Sequence, residues 1–251
     1  MKSEDKRENA ELEYRLAHAC YILSNFCLSK ENERYHLLEE AYLSCKSAYI
    51  PESKNAEILK WSAIITGTLA ELNDLSDFER MTYVREFKKF LDEALTGPPD
   101  SSVYHMHGRF CYRMATLSEK EKEFIIAAFD SLPICTIDEA LNNFHKAEKL
   151  TSGHIDNLIH LGKCYIAKDV GNYSEAQKYL EPILKITPTD EIDQALIAEA
   201  HELLADIEES DIQNENQKNE ENENLDEVNT DETEISTATN GHSEEEPDVI
   251  D

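Results

Sequence analysis

Glycine and proline are scarce, seven of each in 251 residues, and tryptophan occurs once. So few breakers exclude a chain of many short strands and tight turns, and they leave room for long uninterrupted segments. Cations are scarce as well: 24 Lys and Arg stand against 53 Asp and Glu, a formal charge of -29. A deficit of that size excludes nucleic acid and membrane as default partners, because bulk charge would repel both. No run of 18 apolar residues occurs, so no bilayer-crossing helix is expected. The segment MKSEDKRENAELE lacks the apolar stretch of a secretory signal and is too acidic for a mitochondrial presequence, so the expected compartment is cytoplasmic. Cys20, Cys27, Cys45, Cys111, Cys135 and Cys164 form no CxxC pair and read as reduced thiols packed like small apolar side chains. The phosphate-binding loop, GxGxxG, GxSxG and HExxH are all missing, which gives a non-enzymatic reading with no cofactor. His105 and His107 are two positions apart, about 200° around a helix, and cannot share a metal ion locally.

What is present is helical. Leu12, Leu16, Ala19, Leu23 and Phe26 form a stripe at helical spacing, and so do Ile192, Leu196, Ala200, Leu203 and Ile207. Helix starts are marked by Ser76-x-x-Glu79, Ser118-x-x-Glu121 and Thr136-x-x-Glu139, where a hydroxyl accepts from an orphan N–H and the Glu reaches back. Breaks fall at Pro51, Gly97-Pro98-Pro99, Pro133, Gly153, Gly171 and Pro188. The fold class expected is all-α.

The helices recur in pairs. Phe87, Leu91, Ala94 with Pro99 align with Ala140, Phe144, Ala147 with Ser152, and with Ala176, Leu180, Ile183 with Pro188. Gly67, Gly108 and Gly162 supply small positions on the first helices. This predicts a tetratricopeptide-like superhelix of antiparallel helix pairs, in which a glycine and a small residue let two helices approach. One interval is too long, and the surplus LSEKEKEFIIAAFDSLP, with apolar Phe124, Ile125, Ala128 and Phe129, reads as an inserted helix.

Three stretches carry a resemblance: HGRFCYRMATLSEKEKEFIIAAF (107–129), TIDEALNNFHKAEKL (136–150) and NLIHLGKCYI (157–166), with Lys60-Trp61 and Gly67 upstream. Together they resemble the regulator of microtubule dynamics family over roughly 12–204, insertion included, with Phe110 where tryptophan would be expected. The resemblance implies a helical repeat protein that associates with tubulin and microtubules, acts at the spindle and spindle poles in chromosome segregation, and meets other spindle proteins there. Some members carry an N-terminal membrane anchor, which is not expected here because the repeat body begins at once. Trp61 reads as packing.

In such a stack the first helices line a groove. The expected groove residues are His105, Arg109, Tyr112 and Arg113 from one helix and Asp156, Ile159 and Lys163 from the next. Arg109, Arg113 and Lys163 form a cationic ladder suited to carboxylates, such as those of the glutamate-rich tubulin tails. Arg85, Lys88 and Lys89 are a rival basic patch, more simply read as a solvated outer face. A general adaptor for an acidic peptide, without direct microtubule contact, is the alternative function. The division expected is a repeat domain over 1–210 and a disordered tail over 211–251. That tail holds 15 acids, one lysine and no aromatic residue. It could shield the groove, and Ser243 before Glu244-Glu245-Glu246 resembles an acidic-directed kinase acceptor.

Overall fold

Each of the three predicted capping boxes closes in both directions. Ser76 N–H donates to Glu79 at 3.0 Å while Glu79 N–H donates back to the Ser76 hydroxyl at 3.3 Å. Ser118 with Glu121 and Thr136 with Glu139 repeat the arrangement. These caps open α4 (Asp77–Leu95), α6 (Glu119–Phe129) and α7 (Ile137–Leu150). The computed structural model describes residues 2–51, 55–131, 133–169 and 173–213, of which 2–8 by backbone alone. Its other helices are α1 (Lys2–Phe26), α2 (Glu31–Ala48), α3 (Ala56–Ala70), α5 (Ser101–Ala115), α8 (Ile155–Lys168) and α9 (Ser174–Leu180). A 3-10 turn (Glu181–Lys185) and a further helix, α10, over 191–213 follow. Among the described residues there is no strand, and no helix is long and apolar enough to cross a membrane.

The helices pack as hairpins: α1 with α2, α3 with α4, α5 with α7 and α8 with α9. The first helices α1, α3, α5 and α8 also touch in succession, so the hairpins stack into one layered body. Glycines set the closest approaches. A Cβ on Gly108 would lie 2.7 Å from the Phe144 ring, and one on Gly162 would lie 2.6 Å from Leu180. Gly67 faces Phe87 in the same way, at 3.1 Å. This corrects the repeat register. Phe87 occupies the place of Phe144 and Leu180, one turn later than the alignment with Ala140 and Ala176 implied, and buried Tyr83 takes the small-residue position. That position is therefore filled by tyrosine in one hairpin and by alanine in the other two.

The predicted insertion is α6. Its Ile125 and Ala128 are buried, and Phe124 and Phe129 are partly so, against α4 and α5. The stripe predicted for α1 is overturned. Leu12 is 67% and Phe26 52% exposed, while the face turned to α2 is Ala10, Ala17, Cys20 and Ser24, all buried. The large side chains in that contact come from α2, where Leu38 and Tyr42 are buried against Ala17 and Cys20. Cys27, expected in the same buried stripe, is exposed; Cys20, Cys45, Cys111 and Cys164 are buried free thiols. Trp61 stacks on His18 at 3.8 Å between ring centroids. Helix α10 runs through 213, past the boundary expected after 210. The remainder of the acidic tail, Ser243 and Gly171 lie outside the described residues.

Candidate functional site

Helix α5 is fixed at its N-terminal end and at its middle. Asp100 caps it, accepting from Val103 N–H at 3.0 Å, and Lys60 of α3 binds the other oxygen of Asp100 at 2.9 Å. Gly108 presses the back of α5 onto α7, so Arg109 and Arg113 face the opposite side. Helix α8 starts after Gly153, whose φ of 81° needs a residue without a side chain. The Gly153 N–H donates to Glu148 of α7 at 2.7 Å. Between α3, α5 and α8 lies a cavity of about 820 Å³, lined among others by Tyr21, Glu71, His105, Arg109, Asp156 and His160.

Asp156 is the hub. His105 Nε2 lies 2.9 Å from its Oδ2 and His160 Nδ1 3.0 Å from its Oδ1, while an Arg109 nitrogen stands 3.8 Å away. Burial works against the Asp156 charge, but hydrogen bonding to His105 and His160 outweighs it and holds the carboxyl well below the ordinary carboxylate range. Burial and the neighbouring His105 push His154 down. Burial raises the Tyr112 hydroxyl, whose ring meets His160 edge-on.

The expected groove residues divide. His105, Arg109, Tyr112, Arg113 and Asp156 all line the cavity. Ile159 does not, being wholly buried in the core under α8. Lys163 points along the stack instead and pairs with Glu199 of α10. None of the three ladder cations is bare: Arg109 holds Glu71 of α3 at 2.9 Å and Arg113 holds Glu121 of α6 at 2.5 Å. Glu121 also closes the capping box of α6 behind the N-cap Ser118, and its hydrogen bonds from Ser118, with Arg113 beside it, bring its carboxyl down to about 2. His107, the other histidine weighed at the start, keeps a buried Nδ1 with no partner, on a different side of α5.

In the rival patch Arg85 and Lys89 are exposed and Lys88 is partly so, yet each is engaged by a neighbour. Arg85 reaches from α4 to the last turn of α6, donating to the carbonyls of Ala128 and, at 3.0 Å, Ala127. Lys88 pairs with Asp92 at 2.5 Å and lies over the Phe110 ring, and Lys89 lies over Tyr49 and Phe90. All three serve the packing around α4. What sequence reasoning missed is His160, Asn157 and Glu71. The four-residue spacing of Asp156 and His160 was available as a signal for one helical face, but their meeting with His105 spans 51 residues and left none.

A family model described as regulator of microtubule dynamics protein 1-3 matches residues 1–208. The chain is 32% identical to regulator of microtubule dynamics protein 3 of Xenopus laevis over 178 residues, 69% of this chain and 37% of that protein. It is 36% identical to protein 2 of Rattus norvegicus over 121 residues, 47% of this chain and 28% of the other. With protein 1 of Caenorhabditis elegans the identity is 28% over 204 residues, 81% and 88% of the two chains. The chain thus spans about a third of the length of the first two relatives and most of the third. With a family match over all but the C-terminal segment, the chain belongs to the regulator of microtubule dynamics family.

Proposed function

We propose that this chain is a non-enzymatic microtubule-associated protein that captures an acidic segment of tubulin in the cavity between α3, α5 and α8. A role at the spindle in chromosome segregation, in the cytoplasm, is part of the same reading. The relatives are named regulators of microtubule dynamics, which supports the class of partner.

One observation supports the mechanism. Arg109 and Arg113 sit one turn apart on the cavity wall, 43% and 58% exposed, each held by an exposed glutamate. Exposed ion pairs gain little net stability in high dielectric and exchange partners readily. A segment with several carboxylates can therefore displace Glu71 and Glu121 together, and bidentate guanidinium–carboxylate bonds reward the exchange. Lys163 of α8 lies outside the cavity lining and joins the two arginines only by leaving Glu199. The succession of stacked hairpins fits a groove that receives an extended chain, as expected of a tetratricopeptide-like stack.

Charge reversal tests this. The triple variant Arg109→Glu, Arg113→Glu, Lys163→Glu should lose pelleting with purified microtubules by at least tenfold while keeping the helical circular dichroism of the parent. Retained pelleting would remove the groove model. A parent chain that stays in the supernatant with purified microtubules would favour the adaptor reading instead.

A further inference from the structure

The protons around Asp156 can be counted. Asn157 is buried, and both hydrogens of its amide nitrogen are used, one on the Phe144 carbonyl at 3.1 Å and one on Glu148 Oε2 at 3.0 Å. Its Oδ1 is therefore the atom that faces His105 Nδ1 at 3.1 Å, and an amide oxygen only accepts. His105 Nδ1 must carry a hydrogen. In a neutral imidazole that leaves Nε2 as a bare lone pair, and it points at the Asp156 carboxylate from 2.9 Å. Two lone pairs at that distance need a positive charge between them. Either a second ring proton or a metal ion satisfies both lone pairs, and the Arg109 guanidinium already stands 3.8 Å from the same oxygen.

We propose that His105, Asp156 and His160 form a site for a first-row divalent metal ion, zinc being the ion that the donor set fits. Three observations converge on it. The ligand atoms of the three residues all lie within 4.8 Å of one another, on α5 and α8, which are seated on α7 and α9 through Gly108 and Gly162. Two imidazoles and one carboxylate are a donor set that zinc takes in sites with one position left open. The Nδ1–H of His105 on Asn157, with Asn157 held in turn by Glu148 and the Phe144 carbonyl, is the outer hydrogen bond that orients a metal-binding histidine and leaves the other nitrogen for the ion.

The exchange balances simply. The incoming M²⁺ takes the place of the second ring proton on His105 Nε2. On His160 the Nδ1 hydrogen, which donates to the Asp156 main-chain carbonyl at 2.8 Å, is re-sited on Nε2, so that the ring stays neutral and binds the ion through Nδ1. One proton, from His105, leaves to solvent, and no bond is oxidised or reduced. Glu71 holds the other arm of Arg109 at 2.9 Å and so offsets the nearby cation. His105, Asp156 and His160 all line the cavity, which gives an ion held by them access to solvent. The inference stands apart from microtubule binding, since it needs only the chain and the ion.

Cobalt(II) and zinc titration of the full chain, stripped with a chelator and carrying Cys27→Ser to remove the exposed thiol, tests it. The expected result is one equivalent bound, with a cobalt spectrum lacking thiolate charge transfer and with the ring resonances of His105 and His160 shifted. His105→Gln and His160→Gln should abolish stoichiometric binding with the helical signal unchanged. Asn157→Ala should weaken it by roughly 10–100-fold, the range for an orienting residue. No stoichiometric binding by the parent chain, or equal binding by the two glutamine variants, would overturn the site. So would a cobalt spectrum dominated by thiolate.

Discussion

At the scale of the residue, three glycines do the same job under different constraint. A methyl on Gly108 would fall within 2.7–2.9 Å of three atoms of the wholly buried Phe144 ring, and one on Gly162 would meet Leu180 at 2.6 Å. Neither neighbour has room to retreat, so Gly108→Ala and Gly162→Ala should each lose about 1–3 kcal/mol in urea unfolding, the usual cost of overpacking. Gly67 faces the partly buried Phe87 at 3.1 Å, and the ring can give way. There the better helix propensity of alanine, about 1 kcal/mol, offsets the strain, and Gly67→Ala should be near neutral. Equal losses at all three positions would contradict the packing described. Glu121 supplies a pH-dependent counterpart. Hydrogen bonds from Ser118 set its folded value near 2, below the ordinary glutamate value. A depressed acid contributes stability above its unfolded pKa and loses it as pH falls through the folded one. The start of α6 should therefore loosen between about pH 4.5 and 2. In Glu121→Gln, hydrogen exchange of α6 should depend less on pH across that window.

Elements show which parts of the fold were legible in the sequence. A capping box is a local pattern, three residues from hydroxyl to carboxylate, and all three closed as read. The inserted helix was legible for the same reason, since its cap and its apolar residues are its own. The buried face of α1 was not. Periodicity rewards the large apolar Leu12, Leu16, Leu23 and Phe26, yet contact with α2 is made through Ala10, Ala17, Cys20 and Ser24. Close approach selects small residues, and a small residue carries little hydrophobic signal. The repeat register slipped on α4 by the same logic, because Phe87 was matched by spacing rather than by the glycine it covers. Arg85 shows the limit in another way. No pattern in the sequence says that a surface arginine on α4 closes the end of α6, 42 residues away. Arg85→Ala frees the Ala127 and Ala128 carbonyls. It should cost about 1–2 kcal/mol, hydrogen bonds to a charged donor being the stronger kind. The loss should appear as faster amide exchange in α6 before any change in α8; a uniform change across the chain would mean that α6 is held by its apolar face alone.

For the whole molecule, the question raised by the charge has narrowed. The formal charge of -29 argues against binding by bulk attraction, and the three groove cations are each already engaged with a carboxylate of the stack. Capture of an acidic partner is then an exchange of one set of carboxylates for another, local and short-ranged within a Debye length of about 8–10 Å. The candidate groove residues on α5 were readable because they share one helix face. Their counter-ions were not, since Glu71, Glu121 and Glu199 reach them from other helices. Pelleting of the purified chain with purified microtubules, intact or stripped of their acidic C-terminal tails, tests the central claim most directly. The account predicts pelleting with intact microtubules that falls at least tenfold when the tails are removed; equal pelleting with both would contradict it.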